Sequence, residues 1–174
     1  MNTSHDLVST TDDYAHAITA GDYAHARTVG YSSNATTAGY SAHALTAGYS
    51  AHATTAGQRA HATTAGNDAH ALTTGYSAHA LTAGQRAHAT TAGYSAHATA
   101  TGGHAHAATT GANSIAAAFG AISAARAAAG GFIVLAQYDE DTVVAVKTAQ
   151  VGKDGIKPDT WYTLSPTGEF VEAE

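Results

Sequence analysis

A glycine returns every nine residues from Gly21 to Gly120, at Gly21, Gly30, Gly39, Gly48, Gly57, Gly66, Gly75, Gly84, Gly93, Gly102, Gly111 and Gly120. Between glycines the chain repeats one phrase, cleanest at Tyr49-Ser50-Ala51-His52-Ala53-Thr54-Thr55-Ala56-Gly57. The array runs from about Asp13 to Ala129. A fixed short period of this kind marks stacked units that cannot bury a core alone. Alanine by itself favours helix. A glycine in every unit, with threonine dense between, opposes it, and nine is neither the seven nor the eleven of a helical supercoil. Each unit therefore reads as a short strand followed by a glycine turn.

With glycine as position nine, position five is always alanine, from Ala17 to Ala125, and position three is alanine or, at Ser33, Ser114 and Ser123, serine. Position seven is nearly always threonine, from Thr19 to Thr109. Side chains alternate across a strand. Arg27 and Arg126 stand at position six and must reach water. Positions four, six and eight thus face out, and the small set at three, five and seven faces in. Inward hydroxyls need partners, which predicts a threonine ladder bonded along the stack or to the backbone. Positions one, two, four and six read as free surface.

These rules predict an all-β fold: a β-solenoid of the β-roll type, with two nonapeptide units per coil and a small C-terminal β-hairpin module as cap. A three-sided coil of three units is the alternative, because positions one, two and six carry no clear double period. At about 4.8 Å per coil the array alone makes a rod of about 30 Å. The calcium-binding Gly-Gly-x-Gly-x-Asp loop of other nonapeptide rolls is absent from the sequence, so calcium is not expected.

Large apolar residues are scarce, with one Met, one Trp and three Phe, and charged residues make up only 11%. A conventional core in the array and a solvated disordered chain are both disfavoured. There is no cysteine, hence no disulfide or thiolate chemistry. The net charge of -6 is concentrated at the end of the chain, in Asp139, Glu140, Asp141, Asp154, Asp159, Glu169, Glu172 and Glu174. Nucleic-acid binding is not expected without a basic stripe. No apolar run reaches the roughly 18 residues of a membrane span, and residues 1–12 lack the apolar core of a secretion signal.

The organisation read from the sequence is a lead-in over residues 1–12, with His5 loose, the solenoid over 13–130, and a capping module over 131–174. In the module, 132–136 and 142–149 read as one hairpin around an acidic turn, and 160–164 and 169–172 as a second. The larger residues Ile115, Phe119 and Ile122 mark the last coil, packed against this cap, which would cover the open sheet edges.

The terminal motif Ile156-Lys157-Pro158-Asp159-Thr160-Trp161-Tyr162-Thr163-Leu164, followed by Gly168-Glu169-Phe170-Val171-Glu172, resembles the end of a group of uncharacterised bacteriophage and prophage nonapeptide-repeat proteins. The resemblance covers nearly the whole chain and implies a phage or prophage origin, located in the host cytoplasm or the phage particle, without implying an activity. The chain departs from that pattern at position four, where histidine replaces threonine. A weaker likeness joins Gly111-Ala112-Asn113-Ser114-Ile115-Ala116 to the head repeats of trimeric autotransporter adhesins. That likeness leaves a homo-oligomer open, dimer or trimer.

In a two-sided coil the position-four histidines form two outward columns. One holds His25, His43, His61, His79 and His97. The other holds His16, His52, His70, His88 and His106, with Asn34 in its gap. Imidazole suits zinc, nickel and copper, so His25, His43, His61, His79, His97, His52, His70, His88 and His106 are the metal candidates. Parallel rings converge poorly, no carboxylate looks placed to help, and Asp68 looks isolated, so adventitious metal rather than a dedicated cofactor is expected. Like charges along each column should lower the imidazole pKa values. Tyr31, Tyr40, Tyr49, Tyr76 and Tyr94 at position one read as corner packing, or as a recognition edge for glycan or protein, with Trp161 and Tyr162 as further candidates for contact with a protein partner. No buried acid orients a Ser–His pair, and an enzyme is not expected. The functional expectation is a rigid structural or interaction scaffold. A phage accessory factor that blocks a host defence protein is the alternative, with histidine-column metal binding and ice binding behind it.

Overall fold

The computed structural model describes residues 7–173, so His5 lies outside the described residues. It is a two-sided β-solenoid. Its strands are β1 (Leu7–Thr10), β2 (His16–Ala20), β3 (His25–Val29), β4 (Asn34–Ala38), β5 (His43–Ala47), β6 (His52–Ala56), β7 (His61–Ala65), β8 (His70–Thr74) and β9 (His79–Ala83). They continue as β10 (His88–Ala92), β11 (His97–Thr101), β12 (His106–Thr109), β13 (Ile115–Phe119) and β14 (Ala124–Arg126). Odd and even strands form two separate parallel stacks, sheet A and sheet B. Partners stand eighteen residues apart, as in His25↔His43 and His52↔His70. Two units therefore make each coil, and the three-sided alternative is set aside. Leu7–Thr10, assigned to the lead-in by sequence, already pairs with β3 as part of the first coil.

The alternation is as the sequence predicts. The alanines of positions three and five and the threonines of position seven are buried along the array. The glycines are obligatory for a reason beyond turn formation. At Gly66, φ is +144° and an added Cβ would lie 2.0 Å from the Gly48 carbonyl oxygen of the preceding coil. Adjacent turns thus touch backbone to backbone. Position two, read as free surface, is conformationally restricted instead. Its residues, from Tyr14 to Ile122, have φ between 50° and 62°, a region most side chains avoid.

One expectation fails in the core. Thr19, Thr28, Thr37, Thr46, Thr55, Thr64, Thr73, Thr82, Thr91 and Thr109 have buried hydroxyls with no hydrogen-bond partner among the described residues. Strands about 4.8 Å apart hold equivalent oxygens too far apart for the 2.7–2.8 Å of a hydroxyl pair. Serine at position three fares differently. Ser114 Oγ donates to the Gly93 carbonyl and accepts from the Ala96 N–H, both at 3.1 Å.

Past the array, β15 (Phe132–Asp139) continues sheet A in parallel with β13, and β16 (Thr142–Gln150) turns back antiparallel to it. On sheet B, β17 (Tyr162–Leu164) pairs antiparallel with β14, and β18 (Phe170–Glu172) with β17. Both expected hairpins are present. Ile133 and Leu135 take the inward places of Ala116 and Ala118, and Val151, Ile156 and Tyr162 close the core. The cap seals the interior but moves the sheet edges outward, to β16 and β18, rather than removing them.

Candidate functional site

Position four opens each strand immediately after the turn, so in-register stacking brings its imidazoles face to face. On sheet A, the rings of His25, His43, His61, His79 and His97 stack at centroid separations of 4.8–5.1 Å with planes within 20° of parallel. On sheet B, His52, His70 and His88 stack at 4.8 Å, and His106 follows at 4.7 Å with a 38° tilt. His16 pairs in register with Asn34, and Asn34 with His52. The sheet B column does not end on a histidine. Trp161 of the terminal module sits 5.1 Å from His106, and the Arg126 guanidinium lies 4.8 Å from the indole centroid. This imidazole–indole–guanidinium series joins array to module, and it requires Trp161 and the position-four residue to share one column.

Asp68 is not isolated. Its carboxylate accepts two hydrogen bonds from Arg86, at 2.7 Å from Nε and 2.8 Å from an Nη, one coil further on. Arg86 foremost, and then Tyr49, hold the Asp68 carboxyl well below the usual carboxylate range, while Asp68 pushes the Tyr49 phenol up. Asp68, Arg86 and His104 follow one another at position two, one coil apart, beside the sheet B histidines. Together with His70, His88 and His106 they line an open groove of about 490 Å³. Sequence reasoning missed this groove. Its signal was the eighteen-residue spacing of Asp68 and Arg86, which becomes meaningful only once two units per coil are chosen.

The imidazoles of His43, His61, His70, His79, His88 and His106 are held below the ordinary histidine value. The direction agrees with expectation, but the ranking of causes does not. Burial against the sheet is the larger cause in every case, and a neighbouring imidazole the smaller. The metal candidates stand in two lines of parallel rings. Among the described residues no three histidine, aspartate or glutamate side chains converge on a point.

The position-one tyrosines lean on neighbouring coils while Tyr31, Tyr49, Tyr76 and Tyr94 stay about half exposed. Tyr31 stacks on Tyr49 at 5.5 Å, and Tyr76 on Tyr94 at 5.7 Å. Tyr40 accepts a hydrogen bond from Arg59 at 2.9 Å, and Tyr94 accepts one from Asn113. Tyr162 is buried, and its hydroxyl accepts the Lys157 N–H at 2.9 Å, so it serves the cap and not an outer edge. A second concave feature lies between the last turn and the two hairpins. It is a cleft of about 460 Å³ lined by Ile122, Tyr138, Leu164 and Pro166 with Gln137 and Glu140. The Gln137 Nε2–H donates to the Pro166 carbonyl across it at 2.8 Å.

No family model matches the chain, and no curated protein or solved structure matches it. Among the described residues no helix is long and apolar enough to cross a membrane.

Proposed function

We propose that the chain is a non-enzymatic, rigid interaction scaffold: a rod that holds a C-terminal protein-contact module at a fixed distance and orientation. The observation that carries this reading is the unbroken register. The same eighteen-residue pairing repeats from β1 to β14, and imidazole stacks run along both faces. A stack whose coils touch only their neighbours, all in one register, has no hinge. The contact surface in this reading is the cleft between the hairpins. Ile122 stands at its mouth, 72% exposed with φ of 57°. The phage or prophage origin rests on the terminal motif alone.

The test is to tag the protein, purify phage particles from its host, and measure the tag in particles and in the soluble host fraction. A scaffold of the particle copurifies at fixed stoichiometry, and Leu164→Asp in the cleft releases it. A tag found only in the soluble host fraction refutes the particle role. That outcome favours the second reading, an accessory factor that blocks a host protein, supported by Glu140 in the cleft and the acidic Asp139–Glu140–Asp141 tip beside it. Adventitious zinc, nickel or copper on the columns is a lesser reading, measurable by calorimetry.

A further inference from the structure

The C-terminal segment finishes its two sheets differently. Sheet B ends on β18, a three-residue strand with Glu169 before it and Glu172 within it, and Glu172 pairs with Lys157 at 2.6 Å. Short, charged edge strands are poor templates for another chain. Sheet A ends on β16, nine residues long, with sequence TVVAVKTAQ. No further strand lies beside it among the described residues. Val143, Val144 and Val146 are 49%, 54% and 54% exposed, and Lys147 is its one charge. A register shift between Gln137 and Tyr138 makes Val144 the extra residue of a bulge, leaving Ala145–Gln150 as the straight run. A long, β-branched, nearly uncharged edge is the kind that recruits another strand.

We propose that β16 pairs antiparallel with the β16 of a second copy of this chain, joining two copies of sheet A across a two-fold axis near Val146 and Lys147. This inference does not depend on the scaffold reading. Self-complementarity singles out a second copy as the occupant. An antiparallel two-fold at Val146 sets Thr142 of one copy level with Gln150 of the other, the two ends of the strand. The Glu140–Asp141 turn, which directly precedes Thr142, therefore comes beside the other copy's Gln150–Lys153 turn, and the same contact repeats on the other side. Within the strand, Lys147 faces small or apolar residues, and its only like-charge approach is a diagonal one to the partner's Lys147. The outer face supports the same pairing. In the ladder Val146 lies beside Ala136, Thr148 beside Val134, and Gln150 beside Phe132, which is 40% exposed. The two-fold sets these half-covered strips edge to edge and makes them one.

The absence of native cysteine makes the test clean. Sedimentation of the full chain across a concentration series should show twice 17.4 kDa. Small-angle scattering should show a long axis of about 80 Å, from eighteen strands at about 4.8 Å. Single cysteines placed in turn from Val144 to Ala149 should cross-link under mild oxidation at one central position and fall away on both sides, because cross-strand Cα atoms reach disulfide range only there. Val144→Lys with Val146→Lys, both exposed sites, should leave the β circular-dichroism spectrum unchanged and weaken association at least tenfold. Lys153→Glu should weaken it too, and Glu140→Lys with Asp141→Lys should restore it. A 17.4 kDa monomer at every concentration up to about 0.5 mM overturns the proposal. So does a dimer that the lysine pair leaves intact, or one that cross-links equally at every position.

Discussion

Replacing Thr64 by valine should stabilise this protein. Thr64 is buried mid-rod on β7, in register between Thr46 and Thr82. Its hydroxyl has no partner among the described residues. The contrast with Thr101 is instructive: placed just outside the core, its Oγ1 reaches the Thr82 carbonyl at 3.2 Å. A buried hydroxyl without a partner costs on the order of 1–3 kcal/mol. Valine keeps the shape, keeps the β-branched preference for strand, and removes the cost. Thr64→Val is therefore expected to gain about 1–3 kcal/mol, which in a chain of this size is about 2–4 °C of melting temperature per kcal/mol. Thr64→Ser retains the hydroxyl and loses a methyl, and should cost about 1 kcal/mol. The chain already dispenses with the hydroxyl at position seven in three units, at Ala100, Ala118 and Ala127, all buried.

Repeat arrays open locally as well as globally. The assay therefore combines denaturant unfolding with hydrogen exchange of the β5, β7 and β9 amides. If Thr64→Val lowers protection in these strands while Thr64→Ser leaves it unchanged, the hydroxyl is bonded in solution and the reasoning fails. A triple change at Thr46, Thr64 and Thr82 sharpens the test. Independent orphan hydroxyls give additive gains, whereas a cooperating ladder gives a non-additive result.

Gly66→Ala should cost more than about 4 kcal/mol, because its Cβ would meet the Gly48 carbonyl oxygen at 2.0 Å and its φ is +144°; an unchanged melting curve would mean the turns can separate. Burial lowers the pKa of His43, His61, His70, His79, His88 and His106 in the folded state, so the unfolded chain takes up protons first, near its ordinary value of about 6.5. Their contribution to stability is complete above that pH and is lost as pH falls through the lowered folded values; the melting temperature should drop between pH 7 and pH 5, and a flat profile would show that the columns are not coupled to folding. Ile122→Asn should raise stability by about 1 kcal/mol, since asparagine tolerates a φ of 57° and isoleucine does not; a loss in thermal unfolding would mean that the Ile122 side chain supports the cap by packing.

The period of nine and the charge of two arginines were enough to read strand, turn, inside and outside. Arg27 and Arg126 at position six fixed the outer face, and every inward position followed. The double period was harder, because it is written in pairs of residues and not in a composition. Asp13 accepts the Tyr31 N–H at 2.7 Å, Asp22 the Tyr40 N–H at 2.9 Å, and Asn67 the Gln85 N–H at 3.0 Å. Asp13, Asp22 and Asn67 at position one thus bond the coil eighteen residues on, a pattern visible in a sequence only to a reader who already suspects it. The left-handed backbone at position two was hidden because serine, arginine and tyrosine fill most of its places, while the residues that favour it, Asp68, His104 and Asn113, appear there once each. Thr64 and its equivalents were placed correctly and partnered wrongly, since alternation gives the direction of a side chain but not the distance between stacked oxygens.

The link between array and module lay beyond any reading of the two segments separately. Position four holds Asn34, Ile115 and Ala124 as well as imidazoles without a change of register in the solenoid. The choice of histidine matters where the column ends, because the His106 ring lies 5.1 Å from Trp161 and tilted to it, while the Arg126 guanidinium stands over the same indole at 4.8 Å. The one tryptophan of the chain belongs to the terminal motif, yet its contacts are to the repeat. An array carrying small residues at position four would leave that indole without its imidazole neighbour. The histidine column and the terminal module therefore meet in one continuous surface on sheet B.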